Sequence, residues 1–76
     1  MLAPEDVLNH YYLEARCQLL EIAAMLDRYD AGRQGGGGPP ADRRLEQIYE
    51  SLALLAQRDV TTERSERLLN LFSDPA

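Results

Sequence analysis

At 76 residues with a single cysteine, Cys17, the chain has room for one small domain and no intrachain disulfide to staple it. Thirteen acidic side chains against eight basic ones leave a net charge of −5, which excludes the broad basic surface needed to bind nucleic-acid backbones or anionic lipid. Apolar runs such as "IAAML" fall far short of the ~20 residues that span a bilayer, and "MLAPEDVLNH" has no basic n-region, so neither a membrane span nor a signal peptide is expected.

Period-two alternation is absent and helical periodicity dominates, so the expected fold class is all-α. The first helix is expected over about residues 4–30. Pro4 suits a first helical turn, where its missing N–H costs nothing. Glu5 and Asp6 then complement the positive end of the helix. Gly32 is the expected stop, because glycine accepts the left-handed conformation at a helix C-terminus.

The stretch "AGRQGGGGPP" reads as a flexible connector over about 31–40, stiffened at its end by Pro39 and Pro40. A phosphate-cradling loop would need a strand before it and usually a lysine; here a helix precedes it and the chain contains no lysine. The second helix is expected over about 41–58, with Asp42 as its cap or in its first turn. After a break at "RDVTTERSE", Thr61 or Thr62 is the expected cap of a third helix over about 62–72. The alternating charges of "TTERSERLL" read as a solvated face. The expected architecture is one domain: a helical hairpin plus a short third helix, assembling as a dimeric helical bundle.

The faces support that expectation. Leu8, Tyr12, Ala15, Leu19, Ile22, Leu26 and Tyr29 form a heptad-like seam expected to pack on the second helix. Leu13, Cys17, Leu20 and Ala24 form a second apolar arc, roughly opposite. A helix with two apolar faces is usually covered on both sides. The second helix offers Leu45, Ile48, Tyr49, Leu52, Leu55 and Ala56, with Leu54 pointing elsewhere. The third offers Leu68, Leu69 and Phe72, with Leu71 displaced. A short third helix covers only part of the second arc. Leu13, Cys17, Leu20, Ala24 and Leu54 are therefore the expected interface with another chain, in a homo-oligomer with a dimer favoured.

Within "HYYLEARCQLLE", His10, Glu14 and Glu21 border that arc, with Arg28 further along the same stripe. His10 and Glu14 sit one turn apart and are the candidate metal ligands, each protomer of a dimer donating its pair. The Glu-x-x-His spacing of di-iron carboxylate bundles is absent. The plainer reading, an ordinary polar stripe, is preferred. Cys17 lies two turns from His10, about 10 Å along one helix, too far for an intrachain catalytic pair. Tyr11, Tyr12, Tyr29 and Tyr49 read as core residues with outward hydroxyls rather than base-stacking platforms. The expected function is a non-enzymatic interaction or accessory module without a cofactor, acting through apolar helix faces. A protein partner fits this reading and nucleic acid does not. A lone thiol suits a reducing setting, so the expected location is the cytoplasm. The alternative is a metal-binding bundle built on His10 and Glu14.

Overall fold

The computed structural model describes residues 2–36 and 42–73, and among these every regular element is helical. The helices are α1 (Pro4–Gly36), α2 (Arg43–Leu55) and α3 (Arg64–Ser73). The chain divides into two units, Met1–Pro39 and Pro40–Ala76. The first holds α1 and the second holds α2 and α3.

In α1 the Val7 N–H donates to the Ala3 carbonyl at 3.1 Å, which places Ala3 at the cap and Pro4 at the first helical position. The helix does not stop at Asp30. It runs through Gly32 to Gly36, so residues 31–36 of the expected connector are helical. Gly32 has no atom within 4 Å of the place a Cβ would occupy, and its backbone stays helical. A single glycine costs a helix interior only about 1 kcal/mol relative to alanine. That penalty is too small to end a helix already propagating through good helix formers. The rest of the expected connector, residues 37–40, lies outside the described residues.

With 33 residues α1 is about 50 Å long. The 13 residues of α2 and 10 of α3 make rods of about 20 and 15 Å. α1 exceeds their combined length by about 15 Å.

Asp42 caps α2 from an extended conformation (φ −111°, ψ 120°), its carboxylate accepting the Arg44 N–H at 2.9 Å. Its carbonyl accepts from the N–H groups of Leu45 at 3.1 Å and Glu46 at 3.3 Å. The helix closes at Leu55, short of the expected 58, with Ala56 as C-cap. A tighter turn follows, in which the Gln57 N–H donates to the Leu54 carbonyl at 3.2 Å. The β-branched run Val60, Thr61 and Thr62 favours extended over helical backbone. Neither threonine caps α3. The Arg67 N–H donates to the Glu63 carbonyl at 3.1 Å, so Glu63 holds the cap position.

α2 and α3 pack against each other. Ser51 is the one buried residue among those described, with 9% of its surface exposed. Its hydroxyl donates to the Gln47 carbonyl at 2.7 Å, so its burial leaves no polar group unpaired. On α3 the half-covered residues are Arg64, Arg67, Leu68 and Leu71, a stripe at helical spacing. The expected face was out of phase. Leu71 belongs to it, whereas Leu69 and Phe72 stand 68% and 55% exposed. Among the described residues no hydrophobic side chain is fully buried.

Candidate interaction surface

The expected interface residues of α1 lie on its exposed surface. Leu13 and Leu20 are 65% and 60% exposed, and the Cys17 thiol is exposed. Ala24 is half-covered. The seam is open over its N-terminal part: Leu8, Tyr12 and Leu19 are exposed, while Ile22, Leu26 and Tyr29 are half-covered. Tyr11 and Tyr49 are exposed as well in the single chain.

Leu54 has a different setting. It lines an open groove of about 560 Å³ in the α2–α3 unit, with Ala53 and Leu71 as apolar neighbours and Glu50, Gln57, Arg67 and Asn70 at the polar edge. Gln57 and Arg67 also line a recess of about 200 Å³ over the turn, with Asp59, Val60, Thr61 and Thr62.

His10 and Glu14 are exposed. The His10 ring lies 5.5 Å from that of Tyr11 in a tilted arrangement. A Glu14 carboxylate oxygen accepts from the Gln18 side-chain amide at 3.5 Å. Among the described residues no three His, Cys, Asp or Glu side chains gather where one metal ion would reach them. Within one copy of the chain the pair therefore gains no third ligand from those residues.

An ion pair between neighbours marks the start of α2. The Arg44 guanidinium reaches back to both carboxylate oxygens of Asp42, at 3.2 and 2.9 Å. This side-chain hydrogen bond, followed by the Arg44 backbone N–H, holds the Asp42 carboxyl below its usual range. The same contact raises Arg44.

Arg64 and Arg67 are not a solvated face. Arg64 donates to the carbonyls of Gln57 and Arg58, each at 2.9 Å through one terminal nitrogen, and Arg67 donates to the Gln57 side-chain oxygen at 2.9 Å. The available signal was positional. Two arginines three residues apart open a helix that follows closely on another, whose last carbonyls lack partners and carry negative charge.

No helix among the described residues is long and apolar enough to cross a membrane. Comparison with family models, curated proteins and solved structures finds no match for this chain. The class defined by the fold is thus a small all-α protein.

Proposed function

We propose that the chain is a non-enzymatic, cytoplasmic, homo-oligomeric helical module that acts through the apolar faces of α1. In this reading the seam from Leu8 to Tyr29 packs on α2 in a hairpin. The arc of Leu13, Cys17, Leu20 and Ala24 then meets a second copy, and Leu54 joins the same covered surface. The result is a dimeric helical bundle. One observation carries the reading: a 33-residue helix holds Leu8, Leu13, Leu19 and Leu20 all exposed in the single chain. Helical stability in water comes mainly from packing an apolar face, and this helix has apolar residues on two sides.

Sedimentation equilibrium at high micromolar concentration tests the proposal. A dimer mass is expected for the natural chain. Leu20→Glu removes one leucine per protomer from the contact and sets a carboxylate there. It should weaken association by about a hundredfold or more, given ~1.5–3 kcal/mol per buried leucine. A natural chain that sediments as a monomer overturns the reading.

A further inference from the structure

We draw no further inference here: the strongest candidate, the open groove between α2 and α3 lined by Ala53, Leu54 and Leu71, carries nothing because nothing in the structure shows what covers it.

Discussion

A terminal nitrogen of Arg64 lies 2.9 Å from the carbonyl oxygen of Gln57, so the first residue of α3 ties down the chain just past the end of α2. The same guanidinium also reaches the Arg58 carbonyl. One side chain thereby supplies donors to two backbone carbonyls of the turn between α2 and α3. Arg64→Ala should lower stability by about 1 kcal/mol, the net value of a typical hydrogen-bonding group. Urea unfolding followed by circular dichroism measures it. Arg64→Lys should recover only part of the loss, because an ammonium lacks the second nitrogen of the fork, the Nε–H that also donates to the Gln57 carbonyl at 3.3 Å.

The Asp42 cap carries a pH signature. Its carboxyl titrates below the ordinary carboxylate range in the folded chain because the charged form accepts from Arg44. Stability from this group is therefore present above the unfolded pKa and is lost as pH falls through the folded one. Asp42→Asn should flatten the acid limb of the unfolding profile below about pH 4 while keeping a capping side chain. Asp42→Ala should remove both the acid dependence and the cap. Thermal melts of the three proteins between pH 2 and 6 provide the comparison.

Gly32→Ala should stabilise α1 by about 0.5–1 kcal/mol, since the backbone there is helical and a methyl group meets open space. Helical ellipticity at 222 nm should rise, and the melting temperature with it. A fall in either would place Gly32 in a conformation that alanine resists.

Chelation should leave the protein unchanged. Glu14 is hydrogen-bonded to Gln18, and no three-ligand group gathers among the described residues. EDTA treatment is expected to alter neither the sedimenting mass nor the melting temperature. Stoichiometric zinc or iron in the purified protein, lost together with stability on chelation, would restore His10 and Glu14 as ligands.

Legibility from the sequence followed the range of the physics involved. Helical periodicity and the Asp42 cap are local properties, and both were readable. The end of α1 was not, because a glycine signal marks a stop only where the backbone turns left-handed, and Gly32 stays helical. The face of α3 was read out of phase by choosing Leu68, Leu69 and Phe72 for their hydrophobicity. The actual stripe admits Arg64 and Arg67, whose stems lie along the contact while their charged ends find carbonyls. Leu13, Cys17 and Leu20 were recognisable as an apolar arc, since that depends only on helical spacing. What covers the arc depends on a second surface, which one chain's pattern does not encode.

The turn between Leu55 and Arg64 also bears on how the molecule assembles in time. Contacts between α2 and α3 join segments close in sequence, and closing a loop of about ten residues takes roughly 10–100 ns. Formation of this pair is a unimolecular event whose rate is indifferent to protein concentration. Its search is short because the two helices are never far from meeting. The Arg64 guanidinium reaches the Gln57 and Arg58 carbonyls only where the turn has brought the two helix ends together.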